Sequence, residues 1–473
     1  MNNKFNKIIS ILFCVLIFAV LFVSITFFPF KNLISILTSI VLLIILISIF
    51  ILYQKSKITK RLLYIFMIMF FLFGILIRIY FIEKLNFKLS SDFALAFNTG
   101  KDIANGIIPS ESGYLSYNGY FYIFSYLVSI IFKIFGIYIK PVLYVNTFLQ
   151  VFSLFFFYKI ISIKCSRETS MFFTLFYFLL PSLINLNLLI TTENPFFLML
   201  YICIYISLKL LDKKKLTINN FILYLLLGFL LSFTNYIRPA VIAYIIIYIF
   251  KYIMNIKKFK EILLIGVLLI SFIFTNILFN NLIEKGLNQS TRSGATGWSV
   301  YFGTNYNSNG YWTEEDSKLI FDILQNESKG NIDLLKLSYK RISEYGFIKT
   351  IKLILKKYNC LWSKHNATSD FVNIVLKDNN SKTSFKRFED IANPMMQLSV
   401  ILLSIINLYG AVRKVDLKNE VLVLFQGFGT IYIIGNIFVC VNGRYAFLLY
   451  PILIICGAFI IDNLILKNKK AKS

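Results

Sequence analysis

The sequence predicts an all-helical protein that crosses a membrane about twelve times, and three observations support this fold class. Of the 473 residues, 58% are hydrophobic, with 50 Phe and 29 Tyr. The apolar residues form runs of about twenty, the length that an α-helix needs to cross the hydrocarbon core of a bilayer. Most Lys and Arg lie in short clusters between these runs, where they act as topology signals. The formal net charge of +26 is therefore interpreted as juxtamembrane charge and not as a nucleic-acid-binding surface.

The apolar runs define the predicted spans in order. The first run follows a short basic N-terminus, but it is too long for a signal peptide and lacks a small-residue cleavage site, so we interpret it as a retained helix. The predicted spans are residues 8–28, 33–53, 62–82, 141–161, 170–188, 195–211, 219–235, 239–254, 261–279, 394–412, 421–441 and 444–461.

The basic clusters predict the orientation of these spans. If the N-terminus is cytoplasmic, every strong cluster between closely spaced helices also falls on the cytoplasmic side, as the positive-inside rule requires. This predicts a multi-pass protein of the cell membrane with both termini in the cytoplasm. The clusters lie at residues 55–61, 164–167, 213–215, 257–260, 413–418 and 467–470.

One further apolar run, residues 120–136, is long enough to cross but would invert the order of the later loops. We therefore predict that it lies in the membrane interface, where tyrosine rings with polar tips are favoured. An ordinary crossing is the alternative.

Four regions follow from this topology. We expect a two-helix hairpin at residues 1–61 and a membrane module at residues 62–281, which includes a first outer loop at 83–140. An extracytoplasmic segment at residues 282–393 is too long for a structureless connector. Residues 394–473 then form the last three spans and a basic cytoplasmic tail.

The long outer segment carries its own structural signals. Thr313 precedes three acidic residues, which predicts a helix start capped by Thr313. Residues 345–362 alternate lysines with large apolar residues, which predicts a helix on the outer membrane face. Trp298 and Trp312 bracket a stretch rich in Gly, Asn and Tyr, the composition of a carbohydrate-facing surface; a folded lid is the alternative.

Asp92 is the candidate catalytic residue. It follows Ser91, a candidate N-cap, and starts an amphipathic stretch that ends at Gly106, a candidate residue just past the helix C-terminus. In one interpretation Asp92 only stabilises the helix N-terminus through the helix dipole. In the other, the same ionised carboxylate is a general base for a hydroxyl group.

The other charged residues near the predicted outer surface are candidate ligands for substrate. Arg238 and Arg444 each lie at an outer span end, where a guanidinium either grips a lipid phosphate or merely extends to the headgroups. Glu193 either caps the sixth span or contributes a second polar contact, and Lys88 lies beside Asp92. Arg78 is predicted to extend to the surface as an anchor.

The composition and motifs also predict what is absent from the site. Six scattered Cys without a CxxC pair and a single His predict neither a disulfide framework nor a metal centre. We find no Gly-rich phosphate loop and no paired-Asp metal motif, which disfavours an enzyme that uses a nucleotide sugar in the cytoplasm.

The order of these features resembles the membrane glycosyltransferases of the GT-C fold. The likeness is closest to family 39, which includes the protein O-mannosyltransferases and the lipid A aminoarabinose transferase. It rests on Asp92 after an early span, the apolar helix ending at Phe135-Gly136, the Arg238-Pro239 corner and the final span from Arg444-Tyr445. The resemblance implies a GT-C-type membrane bundle, with interfacial helices in the first outer loop and a large outer segment before the last three spans.

Two positions depart from the family pattern. Phe93 follows Asp92 where the protein mannosyltransferases carry a second acid. The family motif before the interfacial helix is replaced by residues 116–119, which include Tyr117 and Asn118 as candidate substrate contacts. The resemblance therefore leaves open the second acidic contact, the acceptor and any role for a divalent metal.

The resemblance implies transfer of a sugar from a polyprenyl-phosphate carrier to an extracytoplasmic glycan, lipid or protein. Asp92 would be the general base, and Arg238 and Arg444 would neutralise the leaving phosphate. The reaction would need no soluble cofactor, because the carrier phosphate is itself the leaving group. The alternatives are a glycolipid flippase or polysaccharide polymerase, and a non-catalytic membrane scaffold; a flippase predicts internal repeats and mid-span charges, and we find no repeat and few such charges.

Overall fold

The computed structural model describes residues 2–29, 32–211, 217–256, 260–291, 295–326, 330–412 and 419–470. Within these ranges the protein is helical, and the strand-like pairing is confined to one isolated bridge between Phe87 and Leu376. The helices are α1 (Asn2–Thr26), α2 (Leu33–Gln54), α3 (Lys60–Lys84), α4 (Ser91–Ala104), α5 (Ser112–Tyr117), α6 (Gly119–Phe135), α7 (Ile139–Ile161), α8 (Arg167–Phe178), α9 (Pro181–Asn187), α10 (Glu193–Leu211), α11 (Ile218–Ile237), α12 (Ile242–Met254), α13 (Lys260–Leu287), α14 (Ala295–Gly303), α15 (Glu314–Asn326), α16 (Gly330–Trp362), α17 (Thr368–Val375), α18 (Asn379–Val412), α19 (Glu420–Phe438) and α20 (Leu449–Lys470).

The prediction of a polytopic helical membrane protein is confirmed. In the described part of the chain, 10 helices are long and apolar enough to cross a membrane, and α8 and α9 form an eleventh candidate if the pair, bent by 56°, is one span. The remaining predicted span corresponds to α12 with its preceding 3₁₀ turn, which is shorter than a full crossing. The count of about twelve therefore stays a prediction.

The helices differ in how much of their surface the protein itself covers. The most apolar stretch of α20 is 78% buried and that of α19 is 72% buried, whereas the figure for α3 is 22%. The last two helices therefore run through the centre of the bundle, and α3 lies at its edge. Large apolar side chains such as Phe18, Leu76 and Phe148 are more than half exposed, which suits a surface that faces lipid.

Two features of the long segment before the last spans can be compared with the sequence. The Thr313 hydroxyl accepts a hydrogen bond from the Asp316 backbone N–H at 3.2 Å, and three acids occupy the first turn of α15, so the predicted helix start is confirmed. The helix that contains the tenth predicted span starts well before it, because α18 begins at Asn379 and carries Pro394 in its interior.

Arg78 does not extend to the membrane surface as predicted, because its side chain is fully buried. Its guanidinium donates to Gln150 Oε1 at 2.7 Å, to its own helix at the Gly74 carbonyl at 2.7 Å and to the Phe178 carbonyl at 2.8 Å. The Phe178 carbonyl lies at the end of α8, next to the bend into α9. Arg78 therefore satisfies a backbone group that the bend frees from the helix ladder.

We expect Arg78→Met to lower the free energy of unfolding by about 2–4 kcal/mol, because it leaves three buried acceptors without this donor. Chemical unfolding in detergent micelles measures the change. Arg61→Met is the matched control, since Arg61 is exposed at the start of α3. An equal effect of both variants would contradict a structural role for Arg78.

The structure gives limited help with the predicted orientation, because the basic clusters at 213–215 and 413–418 and most of 257–260 lie outside the described residues. Introduced cysteines can test the orientation directly. Lys57 and Lys318 are exposed and lie on opposite predicted sides. The native Cys165 and Cys360 are poor probes, because burial raises the pKa of both thiols. We expect an impermeant maleimide to label Lys318→Cys in intact cells and Lys57→Cys only after permeabilisation. The reverse pattern would invert the topology.

Candidate functional site

Four charged side chains meet at one end of the bundle, which we call the site end. Arg444 Nη2 lies 3.0 Å from Asp92 Oδ2, and Arg238 Nη1 lies 2.7 Å from Glu193 Oε1. The second pair is joined to the first through Arg444 Nε, 4.0 Å from the same Glu193 oxygen. Asp92, Arg444, Glu193 and Arg238 thus form one continuous chain of alternating charge, the charged cluster. We predicted all four as candidates, and the structure brings them together.

Asp92 occupies the first turn of α4 and is the exposed end of the cluster. Its side chain is 42% exposed, against 12% for that of Arg444. The predicted end of the helix is confirmed, because Gly106 follows the C-cap residue with a left-handed backbone (φ 72°) that favours glycine. The predicted cap is wrong by one residue, since Ser90 lies at the N-cap and its hydroxyl makes no capping bond.

The backbone just before Asp92 is held in an unusual conformation. Ser91 has φ 51°, a left-handed value that a non-glycine residue adopts at some energetic cost. The preceding segment is tied to the end of α17 and the residues that follow it, because Lys88 N–H donates to the Val375 carbonyl at 2.8 Å and Lys377 N–H donates to the Asn86 carbonyl at 2.9 Å. These bonds set the direction in which α4 starts and thus the position of Asp92.

Glu193 is the fully buried anchor of the cluster. It starts α10 with its side chain 0% exposed, and the Thr191 hydroxyl donates to its Oε2. Two hydrogen bonds fix the side chain of the next residue, Asn194, and so the start of α10. Gln150 Nε2 donates to Asn194 Oδ1 at 2.8 Å, and Asn194 Nδ2 donates to the Leu186 carbonyl at 3.0 Å. The sequence left open whether Glu193 is a cap or a site contact; it lies in the first turn of α10 and also contacts Arg238.

The two guanidinium groups lie against aromatic rings. The Arg238 Cζ atom lies 5.2 Å from the ring centres of both Tyr445 and Phe447, and the Arg444 Cζ atom lies 5.2 Å from that of Phe371. With only 13% and 12% of their side chains exposed, Arg238 and Arg444 do not extend freely to the surface. Arg444 Nε is buried and makes no hydrogen bond. Arg444 therefore retains one donor that no hydrogen bond uses.

Tyr114, on α5, also lies near the charged cluster, although it was not among the candidate site residues. Burial, with a smaller contribution from the negative charge of Asp92, raises the pKa of its hydroxyl, so Tyr114 is a neutral hydrogen-bond donor. Trp298 packs edge-on against Tyr114 with ring centres 5.7 Å apart. Trp298 is thus linked to the charged cluster only through Tyr114, whose hydroxyl feels the charge of Asp92. Helical spacing alone could not reveal this, because α5 and α14 meet only in the folded chain.

The remaining predicted contacts either bond to the backbone or lie at the surface. The Tyr117 hydroxyl donates to the Leu324 carbonyl at 2.6 Å and ties α5 to α15, while Asn118 Nδ2 donates to the Tyr114 carbonyl at 3.3 Å at the end of α5. The side chain of Lys88 is exposed, and Trp312 is 57% exposed beside Phe302. These positions give Tyr117 and Asn118 structural contacts, with Trp312 and Lys88 at the surface.

Two cavities of about 440 and 520 Å³ adjoin each other near α17. Both are lined by Pro29, Lys364 and Asn393, and neither is lined by a residue of the charged cluster. The side of α17 that carries Phe371 contacts Arg444, while Asp370 lines the second cavity. The second cavity and the charged cluster therefore both border α17.

His365 lines the first cavity and is itself buried between two hydroxyl groups. Its Nε2 lies 2.7 Å from Ser24 Oγ and its Nδ1 lies 3.2 Å from Tyr450 Oη. Burial lowers the pKa of His365 to about 3. The folded protein therefore holds a neutral imidazole at physiological pH.

We expect His365 to make stability depend on pH. Its pKa is about 6.5 in the unfolded chain and lower in the folded one, so the unfolded state alone gains a proton as pH falls below about 6.5. Stability is therefore lost on acidification, by about 2 kcal/mol between pH 7 and pH 5 from this residue. The measurement compares unfolding of the wild type and His365→Gln at both pH values. An unchanged pH slope in the variant would contradict the prediction.

Among the described residues, no group of three or more His, Cys, Asp or Glu lies close enough together to hold a metal ion.

Comparison with known proteins identifies no relative of this chain. No family model matches the chain, and no curated protein or solved structure shows significant similarity to it. The site must therefore be interpreted from its own geometry.

Proposed function

We propose that the protein is an integral membrane glycosyltransferase that transfers a sugar from a polyprenyl-phosphate carrier to an extracytoplasmic acceptor. The observation that carries this proposal is the charged cluster: a partly exposed carboxylate, Asp92, lies within 3.0 Å of an arginine that is backed by a second arginine and a buried glutamate. A carboxylate beside two guanidinium groups suits a reaction in which a hydroxyl loses its proton and a phosphate departs.

The charges of the cluster suit a carrier phosphate. Two arginines and two carboxylates balance, so Arg444 is neutralised by Asp92 when no anion is bound. A phosphate that binds the Arg444 guanidinium, whose Nε makes no hydrogen bond, would compete with Asp92 for it. Phosphate binding would then release Asp92 as a free base. Glu193 keeps Arg238 in place throughout, because its carboxylate is buried and out of reach of solvent.

The proposed reaction is a displacement at the anomeric carbon. The acceptor oxygen forms a bond to that carbon, and the bond from the carbon to the carrier phosphate oxygen breaks. The electron pair leaves with the phosphate, whose charge Arg238 and Arg444 neutralise, and the acceptor proton passes to Asp92. A positioned base typically contributes about 10²–10⁴-fold to the rate. Trp298 and Tyr114 are proposed to contact the sugar.

The proposed setting is the cell membrane, with cytoplasmic termini and the site end facing outward. A purified protein in lipid nanodiscs, given radiolabelled sugars on polyprenyl phosphate together with envelope extract, should release polyprenyl phosphate and label an acceptor. Movement of the intact carrier across the bilayer without cleavage would instead favour a flippase. If no carrier-linked sugar is cleaved or moved, the scaffold alternative stands.

A further inference from the structure

The second half of α16 presents an apolar face that no part of the described protein covers. The helix breaks at Gly346, whose backbone has φ 63° and ψ 179°. Beyond the break, Phe347 is 81% exposed, Ile348 71% and Leu355 63%. Ile351 is 40% exposed between them, so these side chains share one face at helical spacing.

The helix cannot rotate to bury this face, because its opposite side is fixed to the bundle. The buried Lys357 ammonium donates to the Gly303 carbonyl at 2.8 Å and to the Ile437 carbonyl at 2.5 Å. Leu361 and Trp362 are almost fully buried in the main hydrophobic core. The orientation of residues 347–362 is thus set by the fold.

The depth of the helix is set by its contact with α1. The Tyr358 hydroxyl donates to the Leu16 carbonyl at 2.7 Å. Leu16 lies about 15 Å along the helix axis from Thr26, the last residue of α1. A tyrosine side chain is far shorter than that distance, so α16 near residue 358 lies below the end of the candidate span. On α1, the side chains of Phe18 and Phe22 are each more than 60% exposed, as expected of a helix surface that contacts lipid.

The polar groups around the helix suit lipid headgroups. Lys349, Lys352 and Lys356 are exposed, and the ammonium of Lys349 lies 4.4 Å from the Tyr345 ring centre. The ammonium of Lys356 lies 3.9 Å from the ring centre of Tyr306. Lysines and tyrosines beside an apolar face are typical of a helix at the boundary between headgroups and acyl chains.

We propose that the exposed face of residues 347–356 lies in the lipid leaflet at the site end, with Phe347, Ile348 and Leu355 among acyl chains. Lys349, Lys352 and Lys356 then bind the phosphates of anionic lipids. The prediction from sequence was a helix on the membrane face; the contact with Leu16 sets the helix below the end of the span near residue 358. This proposal does not depend on the proposed function, because it concerns the bilayer and not the charged cluster.

The test uses a fluorophore sensitive to water, attached to Ile348→Cys in a protein whose six native cysteines are replaced. A second label at Leu355→Cys guards against a local effect of the first, and Lys318→Cys on α15 is the exposed control. Each protein is reconstituted in phosphatidylcholine nanodiscs with and without phosphatidylglycerol.

We expect blue-shifted emission at positions 348 and 355, and severalfold stronger quenching by spin-labelled acyl chains there than at position 318. Replacing all three exposed lysines by glutamine should remove the additional shift that phosphatidylglycerol causes. Emission at positions 348 and 355 as red as at position 318 would overturn the proposal. So would protection that appears only when two copies share one nanodisc, because the occupant would then be a second protein chain.

Discussion

Asp92→Asn is expected to lower kcat for sugar transfer by about 10²–10⁴-fold, because asparagine cannot take the acceptor proton. The substitution keeps the shape of the side chain, and a group that is 42% exposed contributes little to the core, so the fold should persist. Asparagine also no longer neutralises Arg444, which leaves that guanidinium available to a phosphate. KM for the carrier should therefore fall or stay unchanged. Steady-state kinetics with a carrier-linked sugar measure both constants.

The matched control for this experiment is Asp102→Asn, a change of the same chemistry on the same helix. Asp102 lies in the last turn of α4, where its carboxylate is 3.4 Å from the Ser110 backbone N–H. We expect this variant to keep wild-type kinetics. Full activity in Asp92→Asn would remove Asp92 as the base, and equal losses in both variants would indicate that α4 acts only as a scaffold.

The candidate site was predictable as a set of positions but not as a set of contacts. Asp92, Glu193, Arg238 and Arg444 each follow or precede a long apolar run, and the alternation of spans puts such positions on one side of a membrane. Which carboxylate binds which arginine depends on how the helices pack. That packing brings residue 92 to residue 444, and no local pattern encodes it.

Two predictions are wrong because they depend on backbone geometry that the sequence does not show: the surface position of Arg78 and the N-cap of α4. The sequence suggests a surface anchor at Arg78 because the residue lies about a turn below the predicted outer surface, but its acceptors are a glutamine and two carbonyls. The carbonyl of Phe178 becomes available only because the chain bends between α8 and α9. The N-cap of α4 lies at Ser90 and not at Ser91, because Ser91 already stands in the first turn, with a left-handed backbone that the sequence does not predict.

Packing of polar groups also decides which candidates are structural. Tyr117 resembled a substrate contact because it stands in the segment that replaces a family motif. In the fold its hydroxyl is used by the Leu324 carbonyl, and the neighbouring Tyr114 lies near Asp92 instead. Tyr114 and Tyr117 lie three positions apart on α5 and so on nearly the same side of the helix, and only the packing of α14 and α15 decides which partner each ring contacts. The sequence pattern cannot distinguish the two.

Glu193→Gln should have the largest effect on stability among the residues of the charged cluster. It removes a fully buried negative charge that lies 2.7 Å from Arg238 and 4.0 Å from Arg444. Breaking a buried ion pair from one side typically costs about 3–5 kcal/mol, because the remaining charge stays buried and unpaired. The amide oxygen of glutamine still accepts one bond, so we expect about 3 kcal/mol. Thermal unfolding in detergent measures the loss.

A double variant separates the ion pair from its surroundings. Arg238→Gln alone should also destabilise the protein, but Glu193→Gln with Arg238→Gln should lose about 1–3 kcal/mol less than the sum of the two single variants, because the pair is in direct contact. Additive losses would mean that the two side chains act independently. That result would leave Glu193 as a helix cap, the simpler alternative that its position at the start of α10 allows.

The single variant Glu193→Gln also distinguishes a phosphate-binding site from a charged cluster that is purely structural. In Glu193→Gln the two arginines face one carboxylate instead of two, so the cluster carries a net positive charge that an added anion can neutralise. A ligand that binds only the folded state raises stability in proportion to its affinity. Polyprenyl phosphate without sugar should therefore raise the Tm of Glu193→Gln by more than that of the wild type. Dolichol or another uncharged polyprenol should raise neither, and an equal shift for both proteins would argue that the phosphate binds elsewhere.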